Sequence, residues 1–154
     1  MPGEPTGIVA DGRGHLYVAD LEAIRAIDLA TRSVTTLAGT LQPGSADGTG
    51  ADATFNSLSG LALDGEGNLF VADTGNHTIR KIVIATGAVT TLAGSPRVAG
   101  SADGVGREAR FNSPLGLAFD GAGGLYVSEV AAVRKIELAT RAVSTLLGQP
   151  GIRG

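Results

Sequence analysis

The sequence contains no cysteine and no tryptophan. Without thiols it has no disulfides and no zinc–thiolate site. Aromatic residues make up 4% and charged residues 18%, and the net charge at pH 7 is −3. A nucleic-acid surface needs clustered positive charge and stacking aromatics. Here ten arginines and two lysines are scattered along the chain, so no nucleic-acid partner is expected. No apolar run approaches the roughly 18 residues of a membrane-spanning helix. The opening residues, Met1-Pro2-Gly3-Glu4-Pro5-Thr6, lack the basic-then-apolar order of a signal peptide. No membrane partner is therefore expected, and the compartment stays open between cytoplasm and secretion.

Signatures of catalysis are equally sparse. No G-x-S-x-G elbow occurs. G-x-G matches such as Gly65-Glu66-Gly67 fall in hairpins and do not open a helix, so they are not phosphate loops. His15 and His77 are the only histidines and sit at unlike positions, which argues against a shared metal site or a histidine pair. Asp47-Gly48-Thr49-Gly50 and Asp103-Gly104-Val105-Gly106 suggest calcium loops at first sight. Calcium wants six to eight oxygens, and each loop offers about one acid. They read instead as turns stabilised by Asp and Gly, as do the Asp-Gly pairs at Asp11, Asp64 and Asp120. No catalytic residue, metal ligand or cofactor is expected.

What the sequence does have is glycine, 24 residues of it, among many Val, Thr, Ile and Leu. That mix suits short strands joined by tight turns. It also has a repeat. The segments GIVADGRGHLYVAD, GLALDGEGNLFVAD and GLAFDGAGGLYVSE begin at Gly7, Gly60 and Gly116, spacings of 53 and 56 residues. Each continues in parallel, as IRAIDLATRSVTTLAG from Ile24, IRKIVIATGAVTTLAG from Ile79 and VRKIELATRAVSTLLG from Val133. In the middle copy four strands are expected, at 60–64, 68–73, 78–84 and 88–93. The turns between them are short, so neighbours pair antiparallel as a meander.

The first strand, Leu61-Ala62-Leu63, is apolar on both faces. A sheet covered on one side alternates, so this one is sandwiched between two others. Outer strands are more polar, and small residues recur in the first strand. These are marks of stacked blades converging on an axis. The expected fold is all-β: a β-propeller with three four-stranded antiparallel blades, near 7–39, 60–94 and 116–148. Long connectors fill 40–59 and 95–115. Their likeness, GSADGTGADATFNS against GSADGVGREARFNS, predicts order. A short helical turn is expected at 52–55 and 108–111, with Phe55 and Phe111 anchored beneath it.

The middle copy carries a Gly-Asn-Leu-Phe-Val-Ala-Asp strand followed by Asp73-Thr74-Gly75-Asn76-His77-Thr78-Ile79-Arg80-Lys81-Ile82. With the connector from Asp103 through Pro114, this resembles the NHL-repeat propellers from residue 7 to residue 148. The resemblance implies a six-bladed ring. The outer copies depart from the motif. Leu21-Glu22-Ala23 and Val130-Ala131-Ala132 replace the 74–78 loop, are two residues shorter and lack its Asn and His.

Each second strand ends in an acid, Asp20, Asp73 or Glu129, and each third strand carries Arg25, Arg80 or Arg134. With Asn76 and His77 these are the candidate ligand-binding residues. One reading is a ring of acid–Arg pairs that binds a polar ligand or peptide. The other, favoured by recurrence in every blade, is that the pair fixes the loop between strands two and three.

Three wedges do not close a ring of four to eight blades. An open arc exposes two apolar blade faces, and head-to-tail association covers both. The only multiple of three in that range is six, so two chains suffice. Residues 149–154 resemble only the start of a connector, so the closing connectors are expected to be missing or cut. The expected function is a non-enzymatic scaffold or protein-interaction module whose first partner is itself, as a homodimer, with a protein or peptide ligand as a further class. Two alternatives stay open. One is half of a metal-dependent hydrolase, lactonase or lyase, since related six-bladed enzymes hold a metal with acids and Asn near the axis. The other is a truncated or engineered fragment whose only function is association.

Overall fold

The computed structural model describes residues 4–148; the 149–154 tail lies outside them. The first blade comprises β1 (Pro5–Ala10), β2 (His15–Asp20), β3 (Ala23–Asp28) and β4 (Val34–Gly39). A connector follows, with the two-residue strand β5 (Gly48–Thr49). The second blade is β6 (Leu58–Leu63), β7 (Asn68–Asp73), β8 (Thr78–Val83) and β9 (Ala88–Gly94). A second connector carries β10 (Gly104–Val105). The third blade is β11 (Gly116–Phe119), β12 (Gly124–Ser128), β13 (Ala132–Glu137) and β14 (Ala142–Gly148). Each blade is an antiparallel meander. No α-helix occurs among the described residues.

The connectors hold a difference from the sequence expectation. β5 pairs with β9, and β10 pairs with β14. Each connector thus adds a fifth strand to the outer edge of the blade that follows it, giving sheets of four, five and five strands. The helical turns also fall earlier than expected. They are single 3₁₀ turns at Gly50–Asp52 and Gly106–Glu108, each followed by extended chain. The glycine opening each turn has positive φ, 57° and 55°, a conformation glycine adopts without steric cost. Phe55 and Phe111 are fully buried, as expected.

Two cores lie between blades. Tyr17, Ala19, Ile24 and Ala38 of the first blade meet Leu61, Leu69, Val71, Ile82 and Val89 of the second around Phe55. Phe70, Ile79 and Leu92 of the second meet Leu125, Val127, Ile136 and Val143 of the third around Phe111. The innermost strands approach most closely. The Gly60 N–H donates to the Leu115 carbonyl at 2.8 Å. A Cβ on Gly60 would lie 2.3 Å from that oxygen, so only glycine permits this spacing.

Candidate functional site

In every blade the ladder between the third and fourth strands shifts register just before the arginine, at Ile24/Arg25, Ile79/Arg80 and Val133/Arg134. Such a bulge re-aims a side chain. In the second and third blades it delivers a guanidinium into the connector. Arg80 Nη1 donates to Asp73 Oδ2 at 2.8 Å and to the Thr54 carbonyl at 2.9 Å. Its Nη2 donates to the Ala46 carbonyl at 2.8 Å and to Asp47 Oδ1 at 2.9 Å. The Phe55 ring centroid lies 4.8 Å from its guanidinium carbon, within cation–π range. Arg134 repeats the arrangement with Glu129, Asp103, the carbonyls of Ala102 and Arg110, and the Phe111 ring. Both arginines are fully buried. Thr91 and Thr145 donate their hydroxyls to Asp47 and Asp103. The two Asp-Gly connector acids therefore do more than shape turns: each caps an arginine from outside the blade.

The Asp73 carboxylate also accepts from the Asn56 N–H and from Asn76 Nδ2, each at 2.8 Å. Burial pushes this carboxyl above its ordinary value, and the donors from Asn76, Asn56 and Arg80 oppose that shift.

The first blade differs. Arg25 Nε donates to Asp20 Oδ2 at 3.2 Å, and its Nη1 donates to the Thr36 hydroxyl. Its side chain is 25% exposed, against 1% for Arg80 and 0% for Arg134. Among the described residues, no second carboxylate, carbonyl or aromatic ring takes the place of the connector.

The 74–78 loop clips the second blade to the connector after it. Thr74 donates its hydroxyl to the Pro114 carbonyl at 2.6 Å, and His77 Nδ1 accepts the Ser113 N–H at 3.0 Å. That bond fixes the tautomer with the proton on Nε2. His77 takes a left-handed φ of 58° after the 3₁₀ turn Thr74–Asn76. Asn76 Nδ2 also holds the Gly44 carbonyl at 2.7 Å. The structure brings Asp73, Asn76 and Arg80 into one buried network. It places Asp20–Arg25 and Glu129–Arg134 in separate blades.

The opposite end of the blades carries a cleft of about 560 Å³ between the first two, lined by Asp11, Arg13, His15, Tyr17, Leu63 and Ile84, among others. His15 Nδ1 lies 3.0 Å from Asp11 Oδ2. The β-hairpin acids behave as expected, each accepting an N–H two residues on, from Arg13, Glu66 and Ala122, at 2.7 Å.

A sequence profile for the NHL repeat matches residues 55–82, the stretch from Phe55 through the 74–78 loop and Arg80. The chain carries an NHL repeat. It is 39% identical over 148 residues to Protein SUPPRESSOR OF QUENCHING 1, chloroplastic, of Arabidopsis thaliana, an alignment covering 88% of this chain and 14% of that protein. It is 40% identical over 93 residues to NHL repeat-containing protein 2 of Bos taurus, covering 57% and 13%. The chain thus spans a small part of the curated relatives it matches. Among solved structures, a Bacteroides thetaiotaomicron protein of unknown function superposes with a TM-score of 0.70 at 28% identity, over 86% of this chain and 32% of that one. A chain of a nidogen/laminin complex gives 0.69 at 16% identity, over 94% and 48%, a likeness of fold alone. The chain is thus a partial β-propeller.

Proposed function

We propose that this chain is a non-enzymatic NHL-type scaffold that associates head-to-tail with a second copy to close a six-bladed ring. The observation that carries the reading is how differently equivalent positions are covered. In the second blade Leu61 is 6% exposed, Val89 1%, Leu92 6% and Ala93 0%. On the outer face of the first blade, Ile8 and Val34, the counterparts of Leu61 and Val89, are 63% and 59% exposed. On the outer face of the third blade, Leu146 and Leu147, the counterparts of Leu92 and Ala93, are 54% and 68% exposed. One end presents the left half of a blade contact and the other the right half. A heterologous contact whose rotation closes joins them into a finite ring. Three blades per chain and six per ring give two chains. The buried, blade-internal use of Asp73, Arg80, Glu129 and Arg134 supports a scaffold in which the recurring acids and arginines build blades.

The test uses one charge on each outer face. Val34→Asp alone and Leu147→Asp alone are each expected to sediment as monomers, because each variant spoils both contacts of a homodimer. Mixed together they are expected to form a heterodimer, since one of its two contacts is unaltered. Dimers of either variant alone contradict the head-to-tail ring.

A further inference from the structure

The cleft between the first two blades departs from the rule that governs the outer networks. There the acids and arginines recur from blade to blade, whereas the polar groups of the cleft do not. Where the first blade has Arg13, His15 and Tyr17, the second has Glu66, Asn68 and Phe70, and the third has Ala122, Gly124 and Tyr126. Building a blade therefore does not require the first set. All three line the cavity of about 560 Å³, opposite Leu63 and Ile84 of the second blade. Both walls come from blades of this chain, and both apolar residues are half-buried against the shared core. A cavity of this size, with apolar walls and a few convergent polar groups, suits a small organic molecule.

The polar groups indicate what such a molecule carries. In the third blade Tyr126 donates its hydroxyl to the hairpin acid, Asp120 Oδ2, at 3.1 Å. In the first blade His15 Nδ1 lies 3.0 Å from the matching oxygen, Asp11 Oδ2, where the third blade has only Gly124. Asp11 Oδ1 accepts the N–H groups of Arg13 and His15. The histidine thus displaces the tyrosine from the carboxylate. Tyr17 is 6% exposed, and among the described residues its hydroxyl has no hydrogen-bond partner. Burial, then the Asp11 charge, pushes its pKa above the ordinary tyrosine value, so it stays a donor at neutral pH. A buried donor without an acceptor is costly, and a ligand oxygen relieves that penalty. Arg13, on the exposed rim, makes no ion pair among the described residues. Both Asp11 oxygens already face N–H donors, so a cation gains little there, while the Asp11 charge disfavours a dianion. The set matches a monoanion.

We propose that this cleft binds a small amphipathic carboxylate. Its apolar body lies against Leu63 and Ile84, and its carboxylate accepts from the Tyr17 hydroxyl and the Arg13 guanidinium. Leu63 sets the room available, since the bulkier Phe119 holds the same place between the second and third blades.

Isothermal titration calorimetry with naphthoate tests the site, with uncharged naphthalenemethanol and cationic naphthylmethylamine for comparison. Saturable binding of one naphthoate per chain is expected, at least about tenfold tighter than the alcohol. Three variants borrow residues that other blades carry at the same place, so each suits a blade, and their urea midpoints check folding. Tyr17→Phe and Arg13→Glu are each expected to weaken naphthoate about tenfold and to leave the alcohol unchanged. Leu63→Phe is expected to abolish binding of both by filling the cleft. Absence of saturable binding, equal or tighter binding of the alcohol or the amine, or unaltered naphthoate affinity in Tyr17→Phe or Leu63→Phe overturns the proposal. It is separable from ring closure. A dimer that leaves naphthoate unbound refutes the cleft alone, and a monomer that binds it refutes the ring alone.

Discussion

Arg25 and Arg80 hold the same place in consecutive blades, and their surroundings give them different energetic roles. Arg80 is sealed between Asp73, Asp47, two carbonyls and Phe55. Arg80→Met leaves Asp73 as a buried charge without its cation. The expected loss is about 3–5 kcal/mol, the range for breaking a buried pair by removing one partner. Arg25 is partly solvated and has one carboxylate. Arg25→Met is expected to cost about 1 kcal/mol or less. Urea midpoints for the two variants check the contrast, and equal losses would sink it. The pairing of second-strand acid with third-strand arginine was legible in the sequence, because the two recur together in every copy. The outer acids were not. Asp47 reaches Arg80 across 33 residues and Asp103 reaches Arg134 across 31, and an Asp-Gly pair on its own reads as a turn.

At the scale of elements, the strands of the second blade fall where apolar periodicity and Asp-Gly turns place them, β7 from Asn68 to Asp73 with no adjustment. The connectors resisted reading for a physical reason. A strand of two residues has no period, and its stability comes from a partner strand remote in sequence. The hairpins between first and second strands carry a pH signature. Backbone N–H groups of Arg13 and Gly124 lead the effects that hold Asp11 and Asp120 below the ordinary aspartate value. A depressed carboxyl stabilises the fold above its unfolded value of about 3.9, and that contribution is lost as pH falls through the lower folded value. Asp120→Asn keeps an acceptor at the turn and removes its titration. The urea midpoint of this variant is therefore expected to fall less steeply on acidification below about pH 4 than that of the parent chain. Parallel slopes would show that the hairpin acid does not contribute.

For the whole molecule, the same sheet is buried when it lies inside the stack and exposed when it lies at an end. Leu61 and Ile8 are one position in two blades, and so are Ala93 and Leu147. The sequence revealed the blades because each repeats. The asymmetry at the outer edge became visible only when β5 and β10 were seen on the blades after them. In the proposed ring the two outer faces are buried against a second copy. Native mass spectrometry of the chain at micromolar concentration tests it most directly. Ring closure predicts a dominant species with the mass of two chains, and a population that stays at the mass of one chain would contradict it.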